Sequence, residues 1–229
     1  MSFFTKDNKT AFEAISHAQF IAFAPILFQA TKALRDLGIL NLIEDSGVNG
    51  IELEEIYTKL KLSEYGVRVL VEAGLGIGLL TKNDEKYSLT KTGVFILNDK
   101  MTRVNFDFTN DVCYEGMFTL TDSIVKGKPT GLKALGDWPT VYEGLSTMKQ
   151  PAQNSWFAFD HYYSDGSFDS ALDQLFKRKP KHILDIGGNT GKFTMKCLSY
   201  EPDVKITMID LPHQLGMAKE KKKKTSFAD

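Results

Sequence analysis

Between Lys181 and Leu211 the chain reads KHILDIGGNTGKFTMKCLSYEPDVKITMIDL. Two acids and a run of glycines there have the types and spacing to do chemistry. Asp185 stands immediately before the turn Gly187-Gly188-Asn189-Thr190-Gly191, and Asp210 follows Gly191 by 19 residues. A glycine turn lets backbone approach a bound group closely. A carboxylate beside it repels a pyrophosphate and suits a ligand with a cationic end. An acid at the end of a following strand can accept hydrogen bonds from two ribose hydroxyls.

These residues need a frame, and the same stretch supplies one. Ile183, Leu184 and Ile186 form a short apolar run before the turn. Lys192 to Tyr200 has helical character, Glu201-Pro202-Asp203 breaks it, and Val204 to Ile209 is a second β-prone run. A strand, glycine turn, helix and strand in that order open a parallel, ligand-binding sheet. A dinucleotide fingerprint aligned on Gly188 and Gly191 would require glycine at the position of Ile186, and no Gly-Lys-Ser/Thr follows the turn as a P-loop requires. The pattern left is D-x-G-G-N-x-G, and its acid fits the ammonium and sulfonium of S-adenosylmethionine.

Other reactive groups are sparse. His161 in Phe159-Asp160-His161-Tyr162-Tyr163 is a candidate base, although a lone helical histidine more often serves as a structural hydrogen-bonder. His17, His161, His182, His213 and the two cysteines show no metal spacing. No metal site and no nucleophile–base arrangement is expected.

The chain has 229 residues, a net charge of −1 and 25% charged residues. That balance gives no general pull toward nucleic acid or an anionic membrane. Two cysteines, Cys113 and Cys197, point to a reduced, cytoplasmic protein rather than a disulfide scaffold. The most apolar segment, Ala18 to Ala30, is interrupted by Gln19, Pro25 and Gln29 and reads as a buried or interface helix, too short to span a membrane.

Upstream of the glycine turn the pattern is mostly helical. Residues 10–43 carry apolar side chains on more than one face, with Pro25 expected to start or kink a helix and Gly38 to stop one. Such a helix needs burial on more than one side, which points to a partner subunit. Ile51 to Leu62 reads as an amphipathic helix, Ser63 as the N-cap of a second, and Leu79 to Leu89 as a hairpin around Asn83-Asp84-Glu85. Helix-turn-helix plus hairpin is a winged-helix unit. Its second helix offers only Arg68 as a base, against Glu64 and Glu72, so a DNA-binding regulator is the weaker reading. Residues 101–175 are expected to be helical and aromatic-rich, with a Gly/Pro loop from Gly127 to Pro139. The division expected is a winged-helix domain over 1–100, a helical connector and substrate-pocket segment over 101–175, and the first part of a Rossmann-like domain over 176–229.

Four stretches together resemble the class I S-adenosylmethionine-dependent O-methyltransferases with an N-terminal winged-helix dimerisation domain, the plant caffeate, acetylserotonin and bacterial polyketide type. They are FAPILFQATKALRDLGILNLIE, the unit ending in YSLTKTG, FDHYYSDGSF, and ILDIGGNTG followed by IDLP. The resemblance implies a mainly α N-terminal domain followed by the start of an α/β methyltransferase domain. It also implies a homodimer through the N-terminal helices, a small aromatic hydroxyl substrate, and no role for nucleic acid or membrane. It places Gly187, Gly188, Asn189 and Gly191 around the cofactor, Asp185 near its methionine end, Asp210 on its ribose and Leu211 against its adenine. Asn189 stands where many relatives have glycine. The family's general-base histidine and remaining strands would fall beyond residue 229, so the expectation is a C-terminally truncated chain, inactive alone. The alternative is a non-catalytic dimerisation or cofactor-sensing remnant.

Overall fold

A computed structural model describes residues 6–224 of the chain, with the side chains of His213 and of residues 221–224 left aside. The chain divides between Arg103 and Val104 into two compact units.

In the first unit, α1 (Ala11–Asp36) is opened by a capping box, Thr10 accepting from the Glu13 N–H while Glu13 accepts from the Thr10 N–H. α1 runs through Pro25 without interruption, so no new helix starts there. Proline withdraws one donor from the ladder, a local loss. The capped N-terminus and the buried Thr31 and Leu34 near the other end hold the rest. Gly38 does end the helix, and α2 (Ile39–Asp45) comes next.

The winged unit departs from the sequence reading at one point. Ile51–Glu52 is not the start of a helix but a strand, β1, and the helix α3 is confined to Leu53–Leu60. The reason is pairing: Ile51 lies opposite Tyr87 and Glu52 opposite Lys86, which buries both Ile51 and Tyr87. Ser63 caps α4 (Glu64–Ile77) by accepting from the Gly66 N–H at 3.1 Å. Strands β2 (Leu80–Asn83) and β3 (Lys86–Leu89) form the hairpin, and the sheet order is β1-β3-β2. Thr90 caps α5 (Lys91–Asn98). One continuous core, including Leu34, Leu40, Ile56, Val71 and Leu80, joins all of these elements.

The N-terminal half of α1 is different: residues 11–23 are exposed on all sides of the helix. Phe12, Ile15, Phe20, Ile21, Phe23 and Ile26 are all more than half exposed. Because α1 is continuous, it is long and apolar enough to cross a membrane by length and composition alone, so helix length does not exclude a span as the sequence reading expected.

The second unit begins within α6 (Lys100–Phe108) and continues through α7 (Leu120–Lys126), α8 (Val141–Gly144), α9 (Ala152–Asp165) and α10 (Phe168–Phe176). Then come β4 (His182–Ile186), α11 (Lys192–Tyr200), β5 (Lys205–Ile209) and α12 (Pro212–Lys224). β4 and β5 pair in parallel, Ile183 opposite Ile206 and Ile186 opposite Ile209, with α11 as the crossover. Ile183, Val204, Cys197 of α11 and Leu172 of α10 form the core on one face of this sheet. Leu184, Ile186 and Ile209 point to the other face and stay exposed.

Candidate active site

The glycine turn leaves the sheet where both strands end, the position at which open parallel sheets hold ligands. The Gly187 N–H donates to the Ile209 carbonyl at 2.8 Å, one step beyond the last strand pair. Gly187 and Gly191 both have left-handed backbone, with φ of 72° and 75°. Gly188 is crowded: a Cβ there would lie 2.6 Å from the Met208 sulfur and 2.8 Å from an Asp185 oxygen, so those side chains would have to shift. The turn closes on itself through the Gly191 N–H to the Gly188 carbonyl, 2.8 Å, and opens α11.

Both acids singled out in the sequence lie at this turn. Asp185 sits near the end of β4 and accepts from the Thr194 hydroxyl of α11 at 2.7 Å. Asp210 takes one backbone N–H on each oxygen, from Asn189 at 2.6 Å and from its own neighbour Leu211 at 2.7 Å. Each oxygen has two acceptor positions, so both keep one for a further donor. Leu211, beside Asp210, is partly exposed.

A third group of residues was not read as part of the site. α9 reaches the turn through three side chains. Asp160 accepts from the Asn189 amide at 2.5 Å, His161 Nε2 lies 3.5 Å from the hydroxyl of the buried Thr190, and Asp165 accepts from Lys192 Nζ at 2.6 Å. Burial works to raise the Asp165 pKa, but the hydrogen bond and charge of Lys192, helped by His161, hold it below the ordinary carboxylate value. His161 also has Nδ1 3.4 Å from Asp165, so both ring nitrogens have neighbours that orient it. The segment FDHYYSDGSF carried the signal, but which of its polar residues meet the turn depends on a packing that spans about thirty positions.

Asp160, His161, Phe168, Asp185, Asn189 and Lys192 line a cavity of about 230 Å³ against the turn. That is below the roughly 300–1,000 Å³ of small-molecule sites, room for one end of a cofactor. A larger hollow of about 800 Å³ lies at the opposite ends of the strands, among Asp173, Lys177, Lys181, Tyr200 and Glu201. It is farther from the turn's chemistry and on the side of a parallel sheet that does not usually bind ligands. The aromatic residues of the middle segment largely satisfy one another. Phe108 stacks on Phe159 with centroids 4.1 Å apart, Phe159 packs on Tyr163, and the Tyr163 hydroxyl donates to Asn105. Among the described residues no three His, Cys, Asp or Glu side chains gather as a metal site.

Residues 16–87 match the model of the Dimerisation2-like domain. Over 91% of its length the chain is 22% identical to the L-tyrosine C(3)-methyltransferase of Streptomyces lavendulae, covering 57% of that enzyme. It is also 22% identical to the acetylserotonin O-methyltransferase of Gallus gallus, with 81% of this chain and 56% of that one aligned. Among solved structures, PigF with S-adenosylhomocysteine superposes with a TM-score of 0.69 at 16% identity, over 93% of this chain and 63% of that one. Residues 16–87 are a Dimerisation2-like domain, and the chain as a whole is similar to methyltransferases in sequence and in fold. The resemblance read from the sequence is borne out at that level, as is the expected architecture of a dimerisation domain followed by a partial Rossmann-like domain. The chain spans less than two thirds of the length of each of these three methyltransferases. One of them is named for transfer to carbon and another for transfer to oxygen, so similarity to them leaves the acceptor atom open.

Proposed function

We propose that this chain forms the dimerisation domain and the first half of the cofactor site of an S-adenosylmethionine-dependent methyltransferase acting on a hydroxyl of a small aromatic molecule. The observation that carries the reading is the turn itself. Two left-handed glycines and a third crowded by side chains lie at the ends of two parallel strands, with one carboxylate on each side. The residues present fit the cofactor. Asp185 supplies negative charge for a cationic amino-acid end, Lys192 and the first turn of α11 offset its carboxylate, and Asp210 keeps an acceptor on each oxygen for the ribose. Leu211 supplies an apolar surface for the adenine. S-adenosylmethionine, when bound, brings the electrophilic methyl group. What this chain contributes is orientation: the glycines fix the path of the backbone, and the two acids set which end of the ligand lies where. We assign no catalytic base among the described residues. His161 is held between Asp165 and Thr190 instead.

The same reading makes the exposed N-terminal half of α1 a homodimer contact, since the Dimerisation2-like domain includes most of that helix. It places the protein in the cytoplasm with Cys113 and Cys197 as free thiols, and it gives nucleic acid no role, since Arg68 of α4 is paired with Glu64 at 2.7 Å.

Calorimetric titration of the chain with S-adenosylhomocysteine tests the site. Binding is expected, and Asp210→Ala should weaken it by about tenfold or more, the loss of hydrogen bonds to a charged acceptor. Unchanged affinity in that variant would remove Asp210 from the site, and no binding by the unaltered chain at millimolar ligand would overturn the cofactor reading.

A further inference from the structure

We propose that Asp160 is a positioning residue for the cofactor turn, acting through Asn189 on both the turn's backbone and the Asp210 carboxylate. The inference rests on reading the turn as the S-adenosylmethionine site. Asn189 adopts left-handed backbone with φ of 51°, a region where side chains other than glycine are disfavoured and asparagine is tolerated best. A glycine would take that shape without help. Asparagine takes it here with its side chain held: Nδ2 donates to Asp160 Oδ2 at 2.5 Å, while its backbone N–H donates to Asp210 Oδ2 at 2.6 Å. One residue therefore links two carboxylates that lie 50 positions apart in the chain. Both bonds end on a carboxylate oxygen at short distance, and both are partly shielded from water.

The anchor is itself held. One turn along α9 from Asp160, Asp165 binds Lys192, and the adjacent His161 meets Thr190, so α9 grips the turn and the start of α11 at three points. On its other contacts α9 carries Trp156 and Phe159 against Phe108. A displacement of α9 is thereby passed to the turn through Asp160. The asparagine and the acid form a matched pair: with glycine at 189 the left-handed turn no longer needs the acid, and without the acid the asparagine loses the bond that holds its side chain in place.

A double-mutant cycle on the full chain tests this, read by S-adenosylhomocysteine affinity and by hydrogen exchange at the amide of residue 189 without ligand. Asp160→Ala should weaken affinity about tenfold and speed exchange. Asp160→Asn, which keeps an oxygen acceptor for the Asn189 amide, should restore most of both. In an Asn189→Gly background, Asp160→Ala should change neither. Equal losses in the presence and absence of Asn189, or no rescue by Asp160→Asn, would overturn the proposal in favour of a direct charge contact between Asp160 and the ligand or a general role in α9. If the unaltered chain does not bind S-adenosylhomocysteine, the cofactor reading falls, while the exchange data still decide whether Asp160 holds the turn: unchanged exchange in Asp160→Ala overturns the proposal on its own.

Discussion

Cys197 reports on the acid beside it. It is fully buried on α11, and burial first and the negative charge of Asp185 second push its thiol up to about 11. The thiol is then protonated and inert at neutral pH. The same shift has a consequence for stability. The unfolded chain ionises this thiol more readily than the folded one does, so between the ordinary value of 9.0 and about 11 the unfolded state holds fewer protons. The contribution is fully present below about 9 and is lost as pH rises through about 11. If Asp185 faces Cys197 as described, Asp185→Asn removes one of the two causes. Thiolate absorbance should then show the Cys197 midpoint falling in that variant, with Cys113→Ala used to leave one signal. A midpoint that stays put would separate Asp185 from Cys197 and with it the placement of that acid under the turn.

The exposed N-terminal half of α1 is the strongest demand for a partner made by any single element. Six large apolar side chains over fifteen residues are more than half exposed, well beyond scattered surface apolars. A second copy of the same helix covers such a surface with like residues. Light scattering behind size-exclusion chromatography should find a dimer, and Phe20→Glu with Ile26→Glu should yield a folded monomer. A monomeric unaltered chain, or one that partitions into liposomes, would sink the dimer reading. Several elements of this domain were legible in the sequence because their signals are local: Ser63 caps the helix that starts beside it, and Asn83 to Glu85 turns the hairpin, whereas the Thr90 cap and α5 went unread. β1 was not, because two residues become a strand only by pairing with Lys86 and Tyr87, more than thirty positions on. The site divides in the same way. Asp185, the glycines and Asp210 announce themselves by spacing within one strand–helix–strand unit. Asp160, Asp165 and Lys192 acquire their roles only when α9 lies against the turn.

At the scale of the molecule, the two units do not have equal cores. The first has one continuous cluster that joins α1 to α5 across the winged sheet. Among the described residues the second has two small clusters, one around Leu172, Ile183, Cys197 and Val204 and another around Leu145, Met148 and Ala152. Its two parallel strands also expose Leu184, Ile186 and Ile209 on one face, whereas parallel sheets are normally covered on both. Less apolar area removed from water means less to set against the conformational entropy of a comparable length of chain. The second unit should therefore unfold first in urea. Both tryptophans, Trp138 and Trp156, lie in it, so fluorescence tracks that unit alone while far-ultraviolet circular dichroism tracks both. Fluorescence should give an earlier midpoint than the final dichroism transition. S-adenosylhomocysteine at a hundredfold excess over its dissociation constant should stabilise only the fluorescent transition, by about 2.7 kcal/mol. A single transition coincident by both probes would show that the units are coupled in unfolding, and a ligand shift confined to the later transition would move the cofactor site out of the second unit.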